Sequence, residues 1–141
     1  MDLARILVVD DDPAVQMTIR LLLERAGHSV MVASDGEMGL AAFETADFDL
    51  LFLDIFMPGM DGLETMRLIH RQRPTIPVIV ISSRPLTPEP NFLAMATRLG
   101  AICSLPKPFK PTELLATVED CLAATRGSPQ IARGRDVASG R

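Results

Sequence analysis

Four apolar runs in this chain each lead to a polar group capable of chemistry. Ile6–Val9 ends in Asp10, Asp11 and Asp12, Leu50–Leu53 ends in Asp54, and Val78–Ile81 ends in Ser82. Ala101–Leu105 leads to Lys107, which stands between Pro106 and Pro108. If each run is a parallel strand, these groups collect along one edge of one sheet, where α/β sheets bind ligands. Carboxylates, a hydroxyl and an ammonium in one pocket suit a divalent cation together with a phosphoryl group. Two carboxylates ~5 Å apart at an effective dielectric of ~20 repel by about 3 kcal/mol. Either one of them keeps a proton or a cation compensates. Carboxylates with a backbone carbonyl and open water positions fit Mg²⁺.

Each residue also has a plainer use. Asp12 suits the N-cap of a following helix, which leaves Asp10 and Asp11 for the cation. Asp54 could simply open a turn, but a strand-end carboxylate can also attack phosphorus and hold the group as an acyl phosphate. Ser82 could bond to backbone, or donate one hydrogen bond to a phosphoryl oxygen. Lys107 could be a surface lysine, or supply fixed positive charge aimed by its two prolines. The coincidence of all of them at strand ends carries the site reading.

The elements that must position these groups alternate along the chain. Strands are expected at Ala4–Val9, Ser29–Ala33, Asp49–Leu53, Pro77–Ser82 and Ile102–Leu105. Pro13–Ala26 has apolar Val15, Ile19, Leu22, Leu23 and Ala26 at helical spacing. Pro13 suits its first turn and Gly27 its end. Further helices are expected at Glu37–Thr45 (Met38, Ala41 and Ala42 inward), Leu63–Arg71, Asn91–Leu99 and Thr112–Ala123. Met57–Gly62 is rich in turn residues. Strands one, three and four are continuously apolar, as in a parallel sheet covered on both faces.

A chain of 141 residues suits one domain with one core. No apolar stretch approaches a membrane span. The few residues before the first acids are too short for a secretory signal, so a cytoplasmic protein is expected. Cys103 and Cys121 lack metal or redox spacing and suit packed thiols. The net charge is −4. The tail from Arg126 to Arg141 holds four arginines against Asp136, a local +3, so residues 1–125 carry −7. An acidic body argues against a direct nucleic-acid surface. The domain reading is 1–125 for the folded unit and 126–141 for a basic tail, expected to be disordered from its Gly/Ser/Arg composition.

The segments Ile6–Asp12, Asp54–Gly62, Ile81–Ser83 and Leu105–Phe109 closely resemble response-regulator receiver domains (CheY-like) of two-component signalling, in order and spacing. The resemblance runs from about Ala4 to Ala123. It implies a flavodoxin-like (βα)5 three-layer sandwich with sheet order 2-1-3-4-5. It implies that Asp54 takes a phosphoryl group from a histidine kinase or phosphotransfer protein, so that the chain is a phosphoacceptor signalling domain rather than an enzyme. Asp10 and Asp11 would hold Mg²⁺ with Asp54 and the backbone carbonyl of Phe56. Ser82 and Lys107 would contact the phosphoryl group, and the Lys107–Pro108 bond would be cis.

Two departures and two flanking residues bear on signalling. Ser104 stands three residues before Lys107, where the family carries the aromatic of its switch, and Ser83 stands where a small Ala is usual. The signal is therefore expected to run through the Ser82–Asn91 loop and the helix after it. Phe56 and Arg84 occupy positions that in the family influence how water reaches the phosphoryl group, and an apolar Phe56 cannot orient an attacking water. The chain stops after its fifth helix and the tail, so a stand-alone regulator is expected. Its output would be a downstream protein docking on the fourth helix, fifth strand and fifth helix. Two alternatives compete with this reading. One is a receiver-fold binding module that never takes phosphate. The other is a haloacid-dehalogenase-like phosphatase in which Asp10 attacks and Asp12 donates a proton.

Overall fold

Short apolar runs separated by turns and amphipathic stretches pair in parallel, because each strand is returned to the same end of the sheet by the segment that follows it. The computed structural model describes residues 3–54, 62–82, 101–106 and 108–126. Five strands form one parallel sheet: β1 (Arg5–Val9), β2 (Ser29–Ala33), β3 (Leu50–Asp54), β4 (Val78–Ser82) and β5 (Ala101–Pro106). Their order is β2-β1-β3-β4-β5. Four helices accompany them among the described residues: α1 (Pro13–Arg25), α2 (Gly36–Thr45), α3 (Gly62–Gln72) and α4 (Pro111–Arg126), the last being the fifth helical stretch expected from sequence. The helix expected at Asn91–Leu99, most of the Met57–Gly62 turn and the tail beyond Arg126 lie outside the described residues. Among the described residues no helix is long and apolar enough to cross a membrane.

The central strands are apolar throughout because both of their faces are covered. Leu7, Val9, Leu51, Leu53, Val78 and Val80 pack on one face with Phe43 of α2 and with Met66 and Ile69 of α3. Ile6, Val8, Leu50, Phe52, Ile79, Ile81 and Leu105 point the other way, against Ile19 and Leu23 of α1 and Leu114 and Val118 of α4. Full burial of each such side chain stabilises by about 1.5–3 kcal/mol. The edge strand β2 alternates instead, with Ser29 and Met31 exposed. The β4–β5 register shifts once, between Val78 and Ile79.

α1 begins and ends as its sequence dictates. The Asp12 carboxylate accepts from the Ala14 N–H at 2.9 Å, and Pro13 opens the first turn. At the other end Gly27 takes φ +99°, a conformation that disfavours side chains. This lets Gly27 N–H donate to the Glu24 carbonyl and His28 N–H to the Leu23 carbonyl, each at 3.0 Å, closing the end of the helix. Ile19 and Leu23 are buried, with Val15 and Leu22 packed beside them.

α2 departs from its expected orientation. Met38 is 52% exposed and Ala41 also faces solvent, so of the three residues expected inward only Ala42 packs against the core. The helix instead buries Gly36, Gly39 and Phe43. Gly39 explains the rotation: a Cβ there would lie 2.8 Å from Val9 Cγ2. The helix rests its backbone, not a side chain, on the end of β1, and its N-terminus is capped by Asp35, whose carboxylate accepts from the Met38 N–H at 2.8 Å. Gly39→Val should therefore destabilise the protein by about 1–3 kcal/mol through overpacking, read by urea unfolding; unchanged stability would contradict this account of α2.

Candidate metal centre

Asp10 and Asp54 are brought together by register. Val9 pairs with Leu53 in adjacent parallel strands, so the next residues along, Asp10 just past β1 and Asp54 at the end of β3, stand side by side. Both side chains are buried, at 0% and 1% exposure. Asp11, one residue further along the turn, is exposed. The three residues offer carboxylate oxygens that all lie within 4.8 Å of one another. Two buried ligands and one at the surface give a site that is fixed from below and open to solvent above.

This donor set suits a hard divalent cation. Six oxygens placed about 2.1 Å from Mg²⁺ are themselves about 3–4 Å apart. The observed spread thus needs only small side-chain adjustments to converge. At this spacing two ionised carboxylates repel by about 3 kcal/mol at an effective dielectric of ~20, less where Asp11 meets solvent. A divalent ion converts that repulsion into attraction. The Asp10–Asp11–Asp54 cluster is positioned to coordinate a divalent metal such as Mg²⁺.

The third acid of the run has a different task. Asp12 caps α1 through its own carboxylate, while its N–H donates to Asp10 Oδ1 at 2.9 Å. The backbone after Asp10 is thereby folded back onto the ligand it follows. The observed trio joins Asp10 to Asp11 and Asp54 and not to Asp12, which weighs against an Asp10/Asp12 phosphatase pair.

Of the other expected site residues, Ser82 ends β4, and its partner across the ladder is Pro106, the last residue of β5. Asp54 pairs with Ile81, the residue before Ser82. The backbone register therefore brings the ends of β3, β4 and β5 to one edge of the sheet. Ser104 lies within β5, opposite Val80. Phe56, Ser83, Arg84 and Lys107 lie outside the described residues. A residue not singled out from sequence also touches the site. Gln16, on the first turns of α1, donates from its side-chain amide to the backbone carbonyl of Asp10. No local motif marks it, because its partner is a main-chain oxygen brought near only by the turn.

Comparison with known proteins agrees with this geometry. The model of the response regulator receiver domain matches residues 6–119. The chain is 35% identical over 118 residues to the alkaline phosphatase synthesis transcriptional regulatory protein PhoP of Bacillus subtilis, covering 84% of this chain and 48% of that protein. Among solved structures, the CheY-like response regulator receiver domain protein of Methanospirillum hungatei superposes with a TM-score of 0.82 at 31% identity, covering 88% of this chain and 97% of that one. NtrX from Brucella abortus superposes with a TM-score of 0.83 at 33% identity, covering 89% of this chain and 28% of that one. The chain thus spans about half the length of PhoP and matches the receiver protein of M. hungatei almost end to end.

Metal linkage separates the ligands from the cap. Mg²⁺ at one hundred times its Kd should raise the unfolding free energy of the wild type by about 2.7 kcal/mol. Asp10→Asn should lose this increment. Asp12→Ala should keep it on a baseline lowered by about 1 kcal/mol for the lost cap. Urea titrations with and without Mg²⁺ read both effects; an undiminished Mg²⁺ response in Asp10→Asn would contradict the assignment.

Proposed function

The chain belongs to the response regulator receiver family, and from that premise we propose that Asp54 accepts a phosphoryl group, with Mg²⁺, from a histidine kinase or phosphotransfer protein. The observation that carries this is the buried Asp54 carboxylate held with Asp10 and Asp11 within 4.8 Å at the carboxyl edge of a parallel sheet. The chain acts as a phosphoacceptor and not as a turnover enzyme, since the group ends on its own side chain.

In the transfer, an Asp54 carboxylate oxygen forms the new P–O bond as the donor's P–N bond breaks. The bonding electron pair returns to the imidazole nitrogen, and the product is an acyl phosphate. Asp10, Asp11, Asp54 and, as the family resemblance implies, the backbone carbonyl of Phe56 would hold Mg²⁺, which when bound would offset the charge of the phosphoryl oxygens. Ser82 donates a hydrogen bond to one of those oxygens, and Lys107 supplies positive charge to another. Burial of Asp10 and Asp54 keeps the ligands in place before the donor arrives, so little reorganisation accompanies the step.

The complete architecture we propose is the flavodoxin-like (βα)5 sandwich, with a further helix at Asn91–Leu99 between β4 and β5. Residues 1–125 form the receiver and 126–141 a basic tail. Phosphorylation switches a protein-interaction surface made by that further helix, β5 and α4. With Ser104 at the position of the usual aromatic, the change travels through the Ser82–Asn91 loop. Ser83 and Arg84 follow Ser82 at the start of that loop, and Phe56 slows loss of the phosphoryl group because it offers no polar group to orient an attacking water.

Two experiments test this. Incubation with Mg²⁺ and acetyl phosphate should add the mass of one phosphoryl group to the wild type and none to Asp54→Asn, by intact mass spectrometry. Labelling of both, or of neither, would refute Asp54 as acceptor. Phe56→Asn should lose its phosphoryl group faster than the wild type when decay is timed; equal rates would remove Phe56 from the account.

A further inference from the structure

Asp10 is held by its main chain as well as by its side chain, and Gln16 supplies part of that hold. In a parallel ladder the N–H and C=O of one residue point to the same neighbouring strand. The Asp10 N–H donates to the Ala33 carbonyl of β2 at 3.0 Å, so the Asp10 carbonyl also faces β2. The ladder would there present the N–H of residue 35. The chain has by then left the sheet, and Asp35 serves as the N-cap of α2. The Gln16 side-chain amide takes the vacated donor position and bonds the Asp10 carbonyl. The same Nε2 also reaches Ser34 Oγ at 3.2 Å and the Ala33 carbonyl at 3.4 Å. One amide thus ties the end of β1, the end of β2 and the first turns of α1 to a single point.

We infer that Gln16 is a positioning residue for the metal centre: by bonding the Asp10 carbonyl it fixes the backbone from which the Asp10 carboxylate is aimed. This rests on the metal site proposed above. Partners behind a metal ligand typically carry 10–100-fold of metal affinity. The Gln16 amide bonds the Asp10 and Ala33 carbonyls and Ser34 Oγ, so its influence on the site runs through the turn. The consequence extends to Asp12, whose N–H donates to Asp10 Oδ1 and depends on the same turn.

The test uses Gln16→Met, which keeps the side-chain length and removes the donors, and Gln16→Ala, a good helix former that keeps α1 intact. Ile69→Val, in the core on the opposite face of the sheet, serves as a control for loss of stability alone. Isothermal titration calorimetry with Mg²⁺ should give about tenfold weaker binding in both Gln16 variants and unchanged binding in Ile69→Val. In the metal-free protein, the Asp12 amide should exchange with solvent faster in Gln16→Met than in the wild type. A wild type that binds Mg²⁺ with Gln16 variants that bind equally well overturns the inference. A wild type that does not bind Mg²⁺ overturns the metal site itself, and the inference with it.

Discussion

The molecule is organised around a repulsion. Three carboxylates are held within 4.8 Å of one another, two of them out of contact with solvent. At an effective dielectric of ~20 the buried Asp10–Asp54 pair, if both are ionised, repels by about 3 kcal/mol, against a net stability that for most domains is only about 5–15 kcal/mol. A chain tolerates such a cluster only if the surrounding structure cannot relax it away, and if a cation or other positive charge is available to compensate. The sheet meets the first condition. Asp10 and Asp54 extend two central strands whose preceding residues, Ile6–Val9 and Leu50–Leu53, are all fully buried. Moving the backbone of either residue outward would disturb packing on both faces of the core.

The two layers of helices have different duties in this arrangement. α1 and α4 pack one face and α2 and α3 the other. α1 also reaches the cluster, since its N-cap is the residue following the two ligands of the first turn. α2 contributes by proximity: with Gly39 against Val9 its backbone comes close to the end of β1, and the turn before it brings Ser34 within reach of Gln16. The strand ends are thus braced from both sides, while Asp11 remains at the surface where an ion or a phosphoryl donor can approach.

Much of this was legible in residue order because the relevant signals are local. Continuous apolar runs marked the central strands, Asp12-Pro13 marked the start of α1, and Gly27 its end. Strand limits shifted by a residue, as with β3, which includes Asp54 instead of stopping at Leu53. What escaped was decided by tertiary contact. Hydrophobicity alone points Met38 and Ala41 inward, but close packing of Gly39 on Val9 turned α2 about its axis and left both exposed. Gln16 carries no signal of its own, because an amide that replaces a missing strand donor is defined by where β2 leaves the sheet. Asp10, Asp11 and Asp54 could be grouped in advance only because parallel strands must end on the same side.

The central claim is that these three side chains share one divalent ion. Anomalous diffraction from crystals soaked in Mn²⁺, a divalent ion suited to the same oxygen ligands, tests it most directly. A single anomalous peak bonded to carboxylate oxygens of Asp10, Asp11 and Asp54 is the predicted result. A peak bonded to Asp12 in place of Asp54, or no peak at the carboxyl edge of β1 and β3, would contradict it.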